Sequence, residues 1–243
     1  VTKDIDELIE MLDQRTCWKF NIRDLQVNLN GGSSGEFMVL FARPETGKTA
    51  FHVSLTCGPD GFIDQGAKVL LIANEEKQEL IQLRAACCMA QLGRDDLKKN
   101  IDSFRPVWNN KIPNYTIFYE DSISPADVEA YVKQYKPDIL IIDQIDKLNC
   151  YNSSLARMDQ KLGEIYQKIR TIGIKHDCFV IGVCQASADA EDKTRLTYAM
   201  MGESKTSKAA EADIILGIGK SPLEENSPDQ ENMTRYLTVS KNK

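Results

Sequence analysis

The stretch Phe37-Met-Val-Leu-Phe-Ala-Arg-Pro-Glu-Thr-Gly-Lys-Thr-Ala-Phe51 decides the fold. Phe37 to Phe41 is an unbroken apolar run, the pattern of a strand buried on both faces. Ala42 to Thr46 reads as a tight loop, and Gly47-Lys48-Thr49 opens a helix. This order matches the phosphate-cradling pattern G-x-x-x-x-G-K-[ST], except that Ala42 stands at the first glycine position. Backbone N–H groups at such a loop and helix start converge on one point and attract phosphate oxygens. Ala42, Arg43, Pro44, Glu45, Thr46, Gly47, Lys48, Thr49 and Ala50 are therefore the expected nucleotide-binding set. Gly47 lets the backbone approach, Lys48 adds a charge between the β- and γ-phosphates, and Thr49 offers a hydroxyl to Mg²⁺. An accidental Gly-Lys-Thr at a strand–helix turn is the bland alternative. The strand in front and the helix behind argue against it.

The bulk composition fits one large globular domain: 243 residues, 42% apolar and 27% charged. No apolar run reaches about 18 residues, so no membrane-spanning helix is expected. The acidic start Val1-Thr-Lys-Asp-Ile-Asp lacks a signal-peptide pattern, and the missing initiator Met leaves open a processed chain or a piece of a longer one. Seven Cys without a C-x-x-C spacing read as reduced intracellular thiols, mostly in the core. His52 and His176 are far apart in sequence, so zinc is not expected. A net charge of −6 argues against a broad basic surface coating nucleic acid. Contacts from a few Lys and Arg on loops stay open.

Residues 4–14 read as a helix with Ile5, Leu8, Ile9 and Leu12 on one stripe, packed on the chain's own core or docked on a neighbouring subunit. Strands are expected at 36–42, 68–74, 115–119, 138–143, 178–184, 213–218 and 234–240. Helices are expected at 48–57, from 76 to about 92, at 94–102, at 125–136 behind the N-cap Ser124, and at 157–175. Apolar strands alternating with helices predict an α/β fold with a mainly parallel sheet and helices on both faces. Ligands of such sheets bind at the carboxyl ends of the strands.

Four strand ends carry polar groups suited to one chemistry. The first is the phosphate loop. Glu75 follows the second strand and is the expected catalytic base, with Glu76 as its one-residue alternative. Asp143 follows Ile-Leu-Ile-Ile and can hold Mg²⁺ directly or through water. Gln185 ends a fourth strand and can touch the γ-phosphate. Each alone has an ordinary reading, such as Glu75 favoured at a helix start by the dipole. Together on one sheet they point to ATP hydrolysis, with Glu75, Lys48 and Gln185 catalytic and Thr49 and Asp143 holding the metal.

At this point the sequence resembles the DnaB-type replicative helicases within the RecA-like P-loop ATPases. Ala42-Arg43-Pro44 ahead of Gly47-Lys48-Thr49 is similar to that family's loop, so Ala42 departs from the general pattern but not from this one. Asp24-Leu25, Leu29-Asn-Gly-Gly32, Gly35-Glu36, Asp143-Gln-Ile-Asp146, Cys184-Gln185, Gly202-Glu203-Ser204 and Ala212-Asp213 resemble its other motifs. The resemblance implies a RecA-like ATPase domain over 21–243 and a linker-like segment at 1–20. It also implies ATP and Mg²⁺ as cofactors, single-stranded DNA as ligand and a hexameric ring. A primase or loader as partner, and the cytoplasm of a bacterial or phage-infected cell, follow from it too. Lys241-Asn-Lys243 resembles a terminal Lys-x-Arg that reaches the neighbour's nucleotide. Lys243 stands in the arginine place, and lysine lacks the planar fork. Lys243 as a weaker finger, Lys241 in its place, and a sequence that stops within the motif are the three readings.

Residues 186–210 form a long polar connection. In the family, loops here line the ring's channel, which makes Lys193, Arg195, Lys205 and Lys208 candidates for DNA phosphates. Asp189, Glu191 and Asp192 offset them, as in a solvated loop. Asn149 to Ala156, with Tyr151, is a second candidate loop. Three other readings share the core: a recombinase or recombination mediator, a regulatory ATPase without motor activity and, with no lid or acceptor pocket to favour it, a small-molecule kinase.

Overall fold

The computed structural model describes residues 4–13, 15–150, 157–221 and 234–243. The described helices are α1 (Ile5–Asp13), α2 (Arg23–Leu29), α3 (Lys48–Cys57), α4 (Gln78–Ala90), α5 (Arg94–Lys99), α6 (Ile101–Lys111), α7 (Pro125–Tyr135), α8 (Met158–Lys175) and α9 (Lys205–Glu211). The strands are β1 (Cys17–Trp18), β2 (Gly32–Ser33), β3 (Phe37–Ala42), β4 (Val69–Ala73), β5 (Tyr115–Tyr119), β6 (Ile139–Asp143), β7 (Phe179–Gln185), β8 (Ile214–Gly219) and β9 (Tyr236–Asn242). β1 and β2 pair as a short antiparallel ribbon. The other seven form one sheet in the order β5-β4-β6-β7-β3-β8-β9, parallel except for the β8–β9 pair.

Alternation along the central strands divides the core. Met38, Leu40, Leu71, Ile141 and Ile181 face one side, packed with Val53 of α3 and Ile81 of α4. Phe37, Val39, Leu70, Ile142 and Val180 face the other, packed with Val132 of α7 and Leu162, Ile165 and Ile169 of α8. Each such side chain contributes about 1.5–3 kcal/mol by leaving water. This two-sided burial is why the strands read as continuous apolar runs. β3 lies between β7 and β8, and β6 between β4 and β7. The loops after β3, β4, β6 and β7 thus gather at one end of the sheet.

Local rules fix the helix starts. Ser124 and Asp127 form a reciprocal capping box ahead of α7, with Pro125 in the first turn. The expected helix at 94–102 breaks at Asn100, and α6 follows it through Pro106. α2, α6, α9 and the ribbon strands β1 and β2 are additional to the expected elements. The stripe of α1 is not packed on the chain's own core: Ile5, Leu8 and Ile9 are all exposed.

Candidate active site

β3 delivers the chain into Arg43-Pro44-Glu45-Thr46, and Gly47 caps α3. Gly47 has φ of +104°, and a Cβ added there would meet nothing within 4 Å. The glycine is therefore required by backbone conformation rather than by crowding. The open space above it is where a phosphate approaches a helix start. Glu45 also takes a left-handed conformation, with φ of +58°. Lys48 is buried, and its Nζ lies 3.4 Å from both the Ala42 and Arg43 carbonyl oxygens. Burial lowers its pKa, opposed by the charges of Asp143 and Glu75.

Asp143 ends β6 and is 4% exposed. Its Oδ2 accepts hydrogen bonds from Thr49 Oγ1 at 3.1 Å and His52 Nε2 at 3.1 Å. Burial pushes the carboxyl up, but the His52 and Thr49 hydrogen bonds and the Lys48 charge outweigh it and hold it below its ordinary value. Oδ1 is buried and has no partner. A buried carboxylate oxygen left bare beside a threonine hydroxyl fits Mg²⁺ or its water. Among the described residues no cluster of His, Cys, Asp and Glu could cage a metal alone.

Glu75 follows β4. Its Oε1 accepts from Lys147 Nζ at 2.7 Å and its Oε2 from Gln144 Nε2 at 2.7 Å. Asn74 is buried and bonds the main chain of Gln144 through both its amide N and O, which fixes the backbone beneath Glu75. Glu76 instead takes a bidentate bond from Arg84 on α4, and it is the charge of Glu75 that acts on Lys48. Gln185 ends β7 directly opposite Ala42 in register, half-buried, and its carbonyl accepts from Gly202 N. The sheet thus brings Lys48, Thr49, Glu75, Asp143 and Gln185 to one end.

Sequence reasoning missed two contributors. His52 is fully buried one turn into α3. Helical spacing from Thr49 is a signal that could have found it. Arg235 Nε donates to Thr46 O at 2.8 Å and helps to bound a cavity of about 300 Å³ with Thr46, Gly47, Phe51 and Leu237. Arg43, expected in the nucleotide-binding set, turns its side chain away from the loop: its Nε donates to Glu191 Oε2 at 2.6 Å and its guanidinium reaches Ala186 O.

The remaining candidates are spread more widely. Lys193, Arg195 and Lys205 are exposed on the connection after β7, with Lys205 Nζ donating to Ala199 O. Lys208 is corrected. It is 0% exposed, its Nζ donates to Asp146 Oδ2 at 2.7 Å, and it stands over the Tyr166 ring. No phosphate reaches it there, because the short polar segment coils into α9 and turns this side chain inward. Lys241 does not project from the edge strand. Its Nζ donates to the carbonyls of Ala209 and Ala212 at the end of α9. Lys243 is half exposed and pairs with Asp213 at 3.2 Å. Tyr151 and most of the Asn149–Ala156 loop lie outside the described residues. No helix among the described residues is long and apolar enough to cross a membrane.

Comparison with known proteins agrees with this fold. One solved structure, described as an ATPase domain, superposes with a TM-score of 0.79 at 18% identity, covering 100% of this chain and 92% of that one. A DnaB-like replicative helicase, whose structure was described with its interactions with primase, gives 0.81 at 18% identity. This chain is covered completely and spans 63% of that longer one. The RadB recombinase is more distant, with 0.57 at 15% identity over 90% of this chain and 87% of that one. No curated protein matches the chain at a significant level. The DnaB-like helicase C-terminal domain family matches residues 19–243, and the chain belongs to that family.

Proposed function

We propose that the chain is the ATP-hydrolysing motor core of a replicative DNA helicase, acting on single-stranded DNA. The observation that carries the reading is the bare Asp143 Oδ1, buried beside Thr49 at the mouth of the phosphate loop. Mg²⁺, when bound with nucleotide, would neutralise charge on the β- and γ-phosphates, held by Thr49 and Asp143. Residues 42–50 cradle the phosphates, and Lys48 swings from the Ala42 and Arg43 carbonyls to the γ-phosphate. Glu75 accepts the proton of the attacking water. Gln185 senses the γ-phosphate and passes its loss to the connection carrying Lys193, Arg195 and Lys205, which contacts DNA phosphates. The cavity beside Arg235 and Phe51 takes the nucleoside.

In a hexameric ring, Lys243 at the end of edge strand β9 extends toward the next copy's nucleotide. The bare stripe of α1 packs on a neighbouring copy. A primase or loader as partner, and work in the cytoplasm of a bacterial or phage-infected cell, belong to the same reading. The test is ATPase activity with and without single-stranded DNA, together with unwinding of a forked duplex. Stimulation and unwinding are expected, and Glu75→Gln should cut hydrolysis about 100-fold or more. Strand exchange without unwinding would indicate a recombinase instead. DNA-indifferent hydrolysis by a monomer would indicate a regulatory ATPase.

A further inference from the structure

The two hydrogen bonds on Glu75 are unlike each other. Gln144 is 2% exposed, and its main chain is locked to Asn74 by bonds of 2.6 and 2.8 Å. Its side-chain bond to Oε2 is therefore held by buried structure. Lys147 is different: its side chain is 47% exposed, and that of Glu75 is 36% exposed. Exposed ion pairs are weak and easily exchanged. The nearest comparison within the chain is Lys208–Asp146, on the same turn, where the lysine is fully buried. One short 3-10 turn, Ile145–Lys147, thus carries a permanent strut at Asp146 and a releasable contact at Lys147.

The geometry points to Lys147 as a releasable latch on Glu75, opened when an anionic nucleic-acid backbone claims the lysine. The inference rests on Glu75 being the catalytic base. While Lys147 is in place, its ammonium and the attacking water compete for Oε1. A proton arriving at that oxygen would also meet a positive charge 2.7 Å away. Once Lys147 leaves, Oε1 is open and Gln144 still fixes the carboxylate through Oε2. A backbone phosphate is a suitable competitor, because it offers a half-exposed lysine the same kind of anionic oxygen. Lys147 is a positioning residue in this account, since it acts on the base and not on the nucleotide.

The test uses the full chain with Lys147→Ala and Lys147→Arg, assayed for ATP hydrolysis with and without oligo-deoxythymidine. Lys147→Ala should raise kcat without DNA by about three- to tenfold, leave KM for ATP unchanged, and shrink the stimulation by DNA in proportion. Lys147→Arg should restore the low basal rate. Binding of a fluorescent nucleotide analogue at wild-type strength shows that the variants are folded. A basal kcat for Lys147→Ala equal to or below wild type overturns the latch. Glu75→Gln separates the two ideas. If it still hydrolyses ATP, the base is misassigned and the latch falls with it. If it is inactive while Lys147→Ala behaves as wild type, only the latch is lost.

Discussion

His52 Nε2 and Thr49 Oγ1 meet the same oxygen of Asp143, both at 3.1 Å, and so leave the other oxygen bare. His52 therefore aims the carboxylate. His52→Ala should lower the unfolding free energy by about 2 kcal/mol, the scale of a hydrogen bond to a charged group, read by denaturant titration. It should also raise the Mg²⁺ concentration needed for tight nucleotide binding. The same contacts give an acid limb. Asp143 has a folded pKa below the ordinary 3.8, so its contribution is complete above that value and disappears as the pH falls through the lower native one. An Asp143→Asn variant should show a flatter stability profile in that acid range.

Lys208 and Lys205 stand on the same helix and should behave oppositely. Lys208→Ala leaves Asp146 with Tyr166 as a remaining partner but without its cation. A loss of about 3 kcal/mol in unfolding free energy is expected. Lys205→Ala should change stability by less than about 0.5 kcal/mol. It should instead weaken single-stranded DNA binding and reduce the salt slope by about one. Thermal melts and salt-dependent DNA titrations distinguish the pair.

Arg235 joins the last strand to the phosphate loop through Thr46 O. Arg235→Ala should remove one wall of the adjoining cavity. Michaelis analysis should then show KM for ATP raised several-fold with kcat little changed, the pattern of lost uniform binding.

Cys178 and Cys184 should titrate late. Burial pushes Cys178 and Cys184 up from 9.0 to about 12. A raised pKa means that the fold prefers the protonated form. That preference stabilises fully below 9 and is lost as pH rises toward 12. At neutral pH a thiol reagent should modify the exposed Cys17 first and reach Cys178 and Cys184 only in denaturant. Mass spectrometry of the labelled peptides reads the order.

The sheet was legible because its strands are apolar on both faces. Phe37–Ala42 and Ile139–Asp143 could hardly be anything else. The strand-end acids were legible for the same reason, since a parallel sheet carries them to one edge. α6 was hidden by Pro106 and by having no buried residue, and α9 by its polar sequence. Lys208 was misread as exposed because its partner lies 62 positions earlier. Arg235 was passed over because the loop it serves is 189 positions away. Local pattern says which residues form an element. It does not say which distant residue an ammonium or guanidinium will find.

Ala186 N donates to Ala42 O, and Arg43 spans from the phosphate loop to Ala186 and Glu191. The floor of the phosphate loop and the root of the connection after β7 are in this way stitched to each other across two neighbouring strands. Displacing one by a fraction of its own width must drag the other. In the proposed motor, the gearing between fuel and track is the seam between β3 and β7.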